Sequence, residues 1–561
     1  MTFTRMRRYE WRWELAASRD RLWPLVSDTD RFNRDTGLPP VRDARRPDEV
    51  LPAGHRHLRI RVAGVPVEWE GSPFQWVAPS RFGVVRRYRR GPLREMRVEV
   101  ELEAVAPDRT VLTYRVQAWP RGMLGAFAVP LQIGVISRRA FGRAFRRYAE
   151  EEAALGQEGQ GQRVAPDLPV FDPDGLSAVG ASRLRALTRR LEEIGLDPSL
   201  IALLAMHIER SDEVELARIR PYALADEWGA DRRALLTLLL HAAREGLVDL
   251  RWEVICPLCH GAKEEAHTLE GLPAGNVHCD TCMVDFDADL ERSVELTFVP
   301  SAGIRAVRAD EFCVAGPRTT PHVLVQQLLA PDEERVLAPQ LAPGRYRART
   351  LDGRRSATFE VREEGTGEMR LALDAGGALR LEPPIVRPGA RMRFSNRTAV
   401  ERLLLIDITG WGEDAATAAE VLVLQEFRDL FSREVLAAGR SGGVGTLTVL
   451  FTDLKDSTSM YRDTERVAGT PCLVLKAGLH AGPCIAVTLN DRLDYFGSTV
   501  NVAARLAGLS EGNDFVMSDA VRHDPGVAAI LAAEGLAPDP FRSPVRGLDG
   551  DLLLWRARWL R

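Results

Sequence analysis

Four of the seven cysteines form two Cys-x-x-Cys pairs, with 19 residues between the pairs. Each pair turns two thiolates toward one point, and four thiolates satisfy the tetrahedral geometry that Zn²⁺ prefers. Because four protein ligands leave no open position, the spacing predicts a structural zinc site and not a catalytic one. A redox pair or a chance spacing is the alternative. The predicted ligands are Cys256, Cys259, Cys279 and Cys282.

A second group of chemically suggestive stretches lies near the C-terminus. TLTVLFTDLKDST, KAGLHAGP and RLDYFGSTVNVAARL follow one another along the chain. In this order they resemble the catalytic domain of class III adenylate and guanylate cyclases, over residues 446–521 with a tail to residue 561. The preceding modules also resemble those of bacterial proteins that carry this domain at the C-terminus. The resemblance implies cyclic nucleotide biosynthesis for intracellular signal transduction.

The resemblance implies a phosphorus–oxygen lyase. The ribose 3′-hydroxyl of ATP or GTP would attack the α-phosphate and release pyrophosphate. Two Mg²⁺ or Mn²⁺ ions would activate the hydroxyl and neutralise the triphosphate. By the resemblance, Asp453 is the first metal ligand, helped by the carbonyl of Leu454, and the loop with Ser457 and Thr458 offers backbone amides to the phosphates.

The last of these stretches carries the other roles that the resemblance implies. Asp494 occupies the position that recognises the adenine amino group, Asn501 would orient the ribose, and Arg505 would stabilise charge on the α-phosphate. Asn501 and Arg505 are four residues apart and so share one helical face. In the family these residues and the metal aspartates come from different subunits, which implies a homodimer or a heterodimer with another cyclase domain.

One part of the family pattern is missing from this sequence. The second metal aspartate and the lysine that selects adenine normally lie in a Lys-Thr-x-Gly-Asp hairpin, but the 19 residues between Asp453 and Leu473 contain no such motif. Two helices and two strands of average length need more than about 30 residues. The nearest other carboxylates are Asp456 and Asp463. Since a two-metal site needs carboxylates on neighbouring rigid strands, the sequence predicts a catalytically impaired copy.

The sequence is also consistent with two other functions. As the partner of a complete cyclase, the chain would lend Asp494, Asn501 and Arg505 to a site whose metals sit on the partner. As an adaptor, it would bind a hydrophobic small ligand through its N-terminal domain, and the shortened cyclase domain would serve only for dimerisation.

Residues 1–155 predict a strand, short helices, several antiparallel strands and a long closing helix. This order resembles the START-like helix-grip fold of lipid-binding and polyketide-cyclase-like proteins, which enclose a hydrophobic cavity under the last helix. Residues 156–181 form a Gly/Gln/Pro-rich linker. Five tryptophans of the domain either line the cavity or belong to the core: Trp11, Trp13, Trp23, Trp69 and Trp76.

Residues 182–255 read as helices, a glycine turn, a longer helix and a strand, which is winged-helix-like. Acidic residues accompany the basic residues of the longer helix, so the attraction for phosphates is largely cancelled and protein contacts are favoured over nucleic acid. The basic residues are Arg232, Arg233, His241 and Arg244, and the acidic ones are Asp226, Glu227, Asp231 and Glu245.

The remaining segments complete a multidomain α+β chain. The zinc knuckle covers residues 256–293, and a β-sandwich with a turn at Asp352-Gly353 covers residues 294–410. A connecting amphipathic helix covers residues 411–440, and a shortened ferredoxin-like cyclase domain covers residues 441–561.

Composition limits the remaining possibilities. The sequence has 561 residues, of which 45% are hydrophobic and 27% are charged, and this composition is typical of several globular domains. Its net charge of −4 does not indicate a nucleic-acid-binding protein. No apolar segment is long enough to span a bilayer, and the N-terminus lacks the apolar core of a signal peptide. The three cysteines outside the pairs do not form a secreted disulfide framework. We therefore expect a cytoplasmic protein without a membrane partner.

Overall fold

The structure is a computed structural model that describes most of the chain. No helix in the described stretches has both the length and the apolarity to cross a membrane. The described residues are 5–46, 49, 51–52, 54–62, 64–157, 176–307, 311–409, 415–431, 441–454, 474–489, 492–545 and 550–558.

The N-terminal domain is an antiparallel sheet that curves around a long helix. Its strands run in the order β1-β8-β7-β6, and α4 packs over β1 and α1 with the rings of Phe145 and Tyr148 buried. This is the helix-grip arrangement that the sequence predicts. The elements are β1 (Arg7–Leu15), α1 (Arg19–Val26), α2 (Thr29–Asp35), β2 (Arg42–Asp43), β3 (Arg56–Val62), β4 (Val65–Gly71), β5 (Gln75–Val77), β6 (Arg81–Arg90), β7 (Leu93–Ala106), β8 (Arg109–Pro120), α3 (Gly122–Val129), a π-helix (Pro130–Ser137) and α4 (Arg138–Gln157).

The central region begins with helices that bury a leucine-rich core against a three-stranded sheet. Gly229 and Gly246 adopt positive φ angles of 62° and 81° and end α8 and α9, as the glycine turns predict. The elements are α5 (Ala178–Glu193), α6 (Pro198–Arg210), α7 (Glu213–Leu216), α8 (Pro221–Trp228), α9 (Arg232–Glu245), β9 (Val248–Ile255), β10 (Ala262–Ala266), β11 (Val277–Cys279), β12 (Val284–Phe286) and β13 (Val294–Pro300).

The strand β13 belongs to this central region, although the sequence assigns residues 294–300 to the β-sandwich. It pairs antiparallel with β9, from Val294 opposite Val254 to Pro300 opposite Val248. The knuckle is therefore inserted between two paired strands. All seven residues of β13 are buried, which explains why the segment lacks the alternation of a surface strand.

The next seven strands form one sheet that is rolled over a single hydrophobic core. Strands β14 and β15 lie at the two ends of this sheet, and both contribute residues to the core. The sequence predicts a separate β-sandwich, but β14 also pairs with β5, so this sheet is continuous with the N-terminal one. Trp76 Nε1 donates a 2.7 Å hydrogen bond to the Val323 carbonyl at this junction. The strands are β14 (Val323–Leu329), β15 (Glu334–Leu337), β16 (Gly344–Thr350), β17 (Ser356–Leu373), β18 (Leu379–Glu382), β19 (Ile385–Asn396) and β20 (Arg402–Ile408).

Two short helices, α10 (Ala418–Leu422) and α11 (Gln425–Leu430), stand where the sequence predicts one amphipathic helix. Leu424 between them is extended, with φ −70° and ψ 128°. Four of the five residues of α10 are buried against the central core and only Glu420 is exposed, so the solvent face of this helix is narrow.

The C-terminal domain contains a sheet with the strand order β21-β22-β24-β26-β25, and β23 also pairs with β22. Within the described residues β21 is an edge strand, and its only partner is β22. The elements are β21 (Ser441–Leu454), β22 (Leu475–Leu489), β23 (Arg492–Phe496), α12 (Ser498–Leu509), β24 (Asp514–Ser518), α13 (Asp519–Arg522), α14 (Pro525–Ala533), β25 (Asp539–Pro544) and β26 (Asp551–Arg558).

Candidate metal centre and nucleotide-site residues

The four cysteines of the two pairs come together in the fold. Their Sγ atoms all lie within 4.8 Å of one another, and all four residues are buried. The Sγ atoms of Cys259 and Cys279 are 3.7 Å apart. A tetrahedron of Zn–S bonds of about 2.3 Å has edges of about 3.8 Å. The residues therefore fit a metal such as zinc, as the spacing predicts.

Each turn of the knuckle contains a hydrogen bond from a backbone N–H to the sulfur of its first cysteine. Cys282 donates its backbone N–H to the Cys279 sulfur at 3.3 Å, and Leu258 donates to the Cys256 sulfur at 3.4 Å. The residue after each pair, His260 or Met283, adopts a left-handed φ of 55°. Because a non-glycine residue is disfavoured in that conformation by about 1 kcal/mol, closure of the turns around the sulfurs must compensate for it.

The hydrogen bonds among the sulfurs favour thiolate at two of the four positions. Hydrogen bonding with the Cys256 thiol lowers the pKa of Cys259 to about 7 and sets the pKa of Cys279 far below its ordinary value. A hydrogen bond with Cys259 raises the pKa of Cys256, and hydrogen bonds with Cys256 and then Cys259 raise the pKa of Cys282. A cluster of this kind releases protons when a cation binds, because the ligands of a metal must be deprotonated.

The first turn of the knuckle is docked on the rolled sheet through Leu258. Its carbonyl accepts a 2.9 Å hydrogen bond from His322 Nε2 and a 3.3 Å hydrogen bond from Arg349 Nη2. Its side chain lies against Gly353, where an added Cβ would be 2.9 Å from Leu258 Cδ1. Arg349 is 1% exposed and pairs with the buried Asp407. The knuckle is therefore an organised contact between domains.

The second turn contacts the N-terminal domain. Arg56 Nη2 on β3 donates a 2.8 Å hydrogen bond to Thr281 Oγ1, and Lys263 Nζ lies 3.4 Å from the same hydroxyl. Thr281 lies between Cys279 and Cys282. Both turns thus face a neighbouring domain, so loss of the knuckle would remove contacts on two sides.

Asp453 and Leu454 lie at the end of β21, and the side chain of Asp453 is exposed. The residue opposite Asp453 in the register is Lys476 of β22. Directly opposed residues have Cβ atoms about 5 Å apart on one face of a sheet. The cross-strand neighbour of the predicted metal ligand is therefore a cation. The register, and not the sequence motif, identifies this lysine.

Asp494, Asn501 and Arg505 are exposed on β23 and α12. Asp494 accepts a hydrogen bond from the neighbouring Tyr495 N–H at 2.8 Å, and Asn501 Nδ2 donates to the Gly497 carbonyl at 3.4 Å. Within the described stretches no hydrogen bond or ion pair joins any of the three to Asp453. Their polar groups are therefore available to a molecule outside the chain.

Two glycines of β22 set the position of α12. An added Cβ on Gly478 would lie 2.1 Å from the Ala507 nitrogen and 2.7 Å from the Ala503 carbonyl oxygen. On Gly482 it would lie 2.6 Å from Thr499 Oγ1. The helix that carries Asn501 and Arg505 therefore rests directly on the backbone of β22, and only glycine permits this approach.

Tyr495, next to Asp494, connects the C-terminal domain to the central region. Its hydroxyl donates to the Leu422 carbonyl of α10, and the Arg428 guanidinium lies 5.8 Å from its ring centroid. Burial raises the pKa of Tyr495 to about 12, so the hydroxyl stays protonated and can donate at neutral pH. The strand that carries Asp494 is thereby held against the central helices.

Several sequence predictions lie outside the described residues. Ser457 and Thr458, predicted for phosphate binding, and the alternative carboxylates Asp456 and Asp463 belong to residues 455–473. Of the linker predicted for residues 156–181, residues 158–175 also lie outside the described residues, whereas its two ends are helical, because α4 extends to Gln157 and α5 begins at Ala178.

The basic residues of the longer central helix are partly neutralised in the structure. Arg232 forms a bidentate pair with Asp226 at 2.8 and 2.6 Å, and Arg233 pairs with Glu426 of α11 at 2.6 Å. These ion pairs reduce the charge that this helix could offer to phosphates.

Aromatic rings pack together between the N-terminal sheet and α4. Phe141 lies 4.8 Å from Phe32 and 4.9 Å from Tyr114 between ring centroids, and Trp13 lies 5.2 Å from Phe145. Trp69 and Trp76 are buried, whereas Trp11, Trp13 and Trp23 are half-buried. The ring contacts pack Trp13 against the core of the domain, and Trp69 and Trp76 have the low exposure of core residues.

Two parts of the chain resemble known proteins. Residues 182–314 match a family of unknown function (DUF5939). No curated protein matches the chain. Solved structures similar to the N-terminal part include the Zhui aromatase/cyclase from Streptomyces sp. R1128, with 17% identity, a TM-score of 0.22 and coverage of 27% of this chain and 96% of that one.

Two further structures have similar values. Protein CV1439 from Chromobacterium violaceum is 15% identical, with a TM-score of 0.20 and coverage of 26% of this chain and 96% of that one. A point mutant of norcoclaurine synthase from Thalictrum flavum, bound to a transition-state analogue, is 18% identical, with a TM-score of 0.20 and coverage of 27% and 98%. Likenesses at these TM-scores carry no argument about the chemistry of this chain.

Proposed function

We propose that this chain is a signalling protein of the class III nucleotide cyclase family whose own catalytic site is impaired. The observation that supports this proposal most strongly is the direct pairing of β21 with β22, which sets Lys476 opposite Asp453. A lysine beside the predicted metal ligand adds positive charge at the place where two metal ions would need carboxylate ligands. The 19 residues between Asp453 and Leu473 contain no Lys-Thr-x-Gly-Asp hairpin.

The described residues around Asp453 do not fit a pair of divalent ions. Two Mg²⁺ or Mn²⁺ ions require several oxygen ligands, and carboxylates on adjacent strands are the usual source. Here the adjacent strand supplies an ammonium group, and Asp453 is the only carboxylate in the twelve cross-strand pairs of β21 and β22. We therefore derive no metal-assisted step for this chain alone.

The second half of the predicted site supports a role in a mixed dimer. Asp494, Asn501 and Arg505 keep exposed polar groups on a well-seated strand and helix. In a heterodimer with a complete cyclase domain, Asp494 would hydrogen-bond the purine, Asn501 would orient the ribose, and Arg505 would stabilise negative charge at the α-phosphate. The metal ions would then sit on the partner domain.

The winged-helix-like region and the knuckle fit a structural role in this account. The helices of the central region hold the C-terminal domain through Tyr495, and the knuckle contacts both the N-terminal domain and the rolled sheet. Aromatic rings pack between the sheet and α4, where a hydrophobic ligand of the N-terminal domain would have to lie.

The proposal predicts no cyclase activity alone and activity on mixing. Purified full-length protein is assayed with Mn²⁺ and ATP or GTP, and no cyclic nucleotide is expected above background. It is then mixed with a complete class III cyclase domain whose own purine-recognising aspartate, asparagine and arginine have been replaced. Activity is expected to return in the mixture and to be lost with Arg505→Ala, because the guanidinium acts on the reacting phosphate.

The matched control is Arg542→Ala, which removes an exposed arginine on β25 and is expected to leave complementation unchanged. Robust cyclic nucleotide formation by the chain alone would refute the impairment. Mixtures without activity would refute the half-site role.

A further inference from the structure

A row of apolar side chains lies on the outer surface between β8 and α4. Residues 123, 127, 131 and 135 recur every four positions, which places them along one face of the helical segment. Side chains of this size are normally buried. We call the row the apolar stripe; its members and exposed fractions are Met123 (64%), Leu124 (76%), Phe127 (72%), Leu131 (59%), Val135 (45%) and Ile136 (48%).

The opposite face of the same segment is firmly seated on the domain. An added Cβ on Gly125 would lie 2.1 Å from the Pro92 carbonyl oxygen, and one on Gly134 would lie 3.1 Å from the ring of Tyr9. Val129 is 3% exposed. Since the inner face supplies the packing, the stripe is not needed to hold the segment in place. An exposed apolar patch of this kind marks an interaction surface.

Four arginines continue the surface along α4. Arg138, Arg139, Arg143 and Arg146 are all exposed, and none forms an ion pair within the described residues. Arg147, by contrast, pairs with Asp35 and with Glu151. The sequence contains no acidic residue from residue 121 to residue 147. The first exposed carboxylate beyond them is Glu150, one turn past Arg146.

We propose that this surface lies on an anionic lipid bilayer. The apolar stripe would enter the boundary between headgroups and acyl chains, while the four arginines bind anionic headgroups beside it. A second copy of the chain fits less well, because a symmetric contact would bring two sets of unpaired arginines together without a carboxylate in either segment. The choice of a lipid surface rests on this charge complementarity.

The proposal differs from the sequence expectation of no membrane partner. That expectation rests on the lack of a segment long enough to span a bilayer. A peripheral contact needs only a helical face with apolar and cationic side chains, so the two statements concern different modes of binding.

The test is flotation of full-length protein with vesicles of two compositions. One contains phosphatidylcholine alone, and the other contains phosphatidylcholine and phosphatidylglycerol at about two to one. Binding to the anionic vesicles is expected at low ionic strength, with at least tenfold weaker binding to the neutral ones. It is also expected to fall in about 0.5 M salt, because screening weakens the arginine contacts.

Two double variants separate the contributions. Phe127→Ser with Leu131→Ser is expected to reduce binding to vesicles of both compositions. Arg138→Gln with Arg139→Gln is expected to lower the affinity for anionic vesicles about fivefold per arginine and to leave binding to neutral vesicles unchanged. The controls are Ile530→Ser, an equally exposed apolar residue on α14, and Arg185→Gln with Arg189→Gln on α5. Circular dichroism checks that each variant is folded.

Binding that follows the stripe and the α4 arginines but not the controls supports the proposal. No binding to either composition overturns it, as does binding that neither double variant reduces. If sedimentation instead shows a dimer that Phe127→Ser with Leu131→Ser dissociates, the surface binds a second copy and the lipid proposal is overturned.

Discussion

Full-length protein with Cys279→Ser is expected to be unable to hold zinc and to unfold the knuckle over residues 256–293. Structural zinc contributes apparent binding free energies of about 10–16 kcal/mol in small metal-dependent folds, which is as large as the whole stability of a typical domain. The serine hydroxyl is a poor replacement for a thiolate ligand. Three remaining cysteines at the observed spacing would leave one tetrahedral position open.

The consequences are expected to extend beyond the knuckle. When the first turn loosens, the Leu258 carbonyl no longer accepts from His322 and Arg349, and a buried donor left without an acceptor costs about 1–3 kcal/mol. Metal analysis, hydrogen exchange and thermal unfolding together measure the effect. Fast exchange is expected in the knuckle and increased exchange at residues 344–353 of the rolled sheet.

The control is Cys313→Ser. This thiol lies outside the cluster and accepts a hydrogen bond from Thr29 Oγ1 at 3.0 Å, which a serine oxygen can also accept. The zinc content and the melting temperature of this variant should stay close to those of the unchanged protein. If Cys279→Ser kept one zinc per chain and the original melting temperature, the assignment of the four cysteines as zinc ligands would be wrong.

Replacing Gly478 with valine is expected to prevent α12 from packing on β22. The Cβ alone would lie 2.1 Å from the Ala507 nitrogen and 2.6 Å from the Leu506 carbonyl carbon. Both atoms belong to the helix backbone, so no side-chain rotation relieves the overlap. Overpacking of a well-packed core costs about 1–3 kcal/mol when side chains can adjust, and a backbone clash should exceed that range.

Urea denaturation followed by far-UV circular dichroism measures the loss of stability. The matched control is Gly508→Ala, since an added Cβ there meets nothing within 4 Å. Alanine in a helix is favoured over glycine by about 1 kcal/mol, so this variant should be slightly more stable. Equal stability of Gly478→Val and the unchanged protein would mean that α12 does not lie on this strand.

The local features of the sequence were the most predictable. The spacing of the cysteines predicted their clustering because each Cys-x-x-Cys turn is built from four consecutive residues. The glycines at 229 and 246 end helices for a similarly local reason, since the positive φ needs no distant partner. The order of strands and helices in the N-terminal domain was also predictable, from the alternation of apolar and polar residues and from the lengths of the segments.

Features that depend on distant pairing were not predictable. Whether residues 294–300 belong to β9 or to the rolled sheet depends on register between strands separated by the whole knuckle. The junction between β5 and β14 joins segments about 250 residues apart, and no periodicity in either segment reveals it. Within the described residues 415–431, the single helix predicted for residues 411–440 is divided at the extended Leu424, and the burial of most of α10 depends on packing against the distant central core.

For the candidate site, the sequence indicated which residue types were present but not what faces them. The position of Lys476 opposite Asp453 follows from the register of β21 and β22. The docking of Leu258 depends on a buried arginine about 90 residues later in the chain. The exposure of the apolar stripe follows only from the packing of the glycines of this segment against Pro92 and Tyr9.

Whether Asp453 holds a pair of catalytic metal ions is tested most directly by counting bound manganese. Zinc-loaded full-length protein is titrated with Mn²⁺ in the presence of a non-reactive ATP analogue, and protein-bound Mn²⁺ is measured by electron paramagnetic resonance. The same titration is run with Asp453→Asn. Because Lys476 occupies the neighbouring cross-strand position, equal binding by the two proteins is predicted. Two Mn²⁺ ions per unchanged chain, lost with Asp453→Asn, would contradict the account.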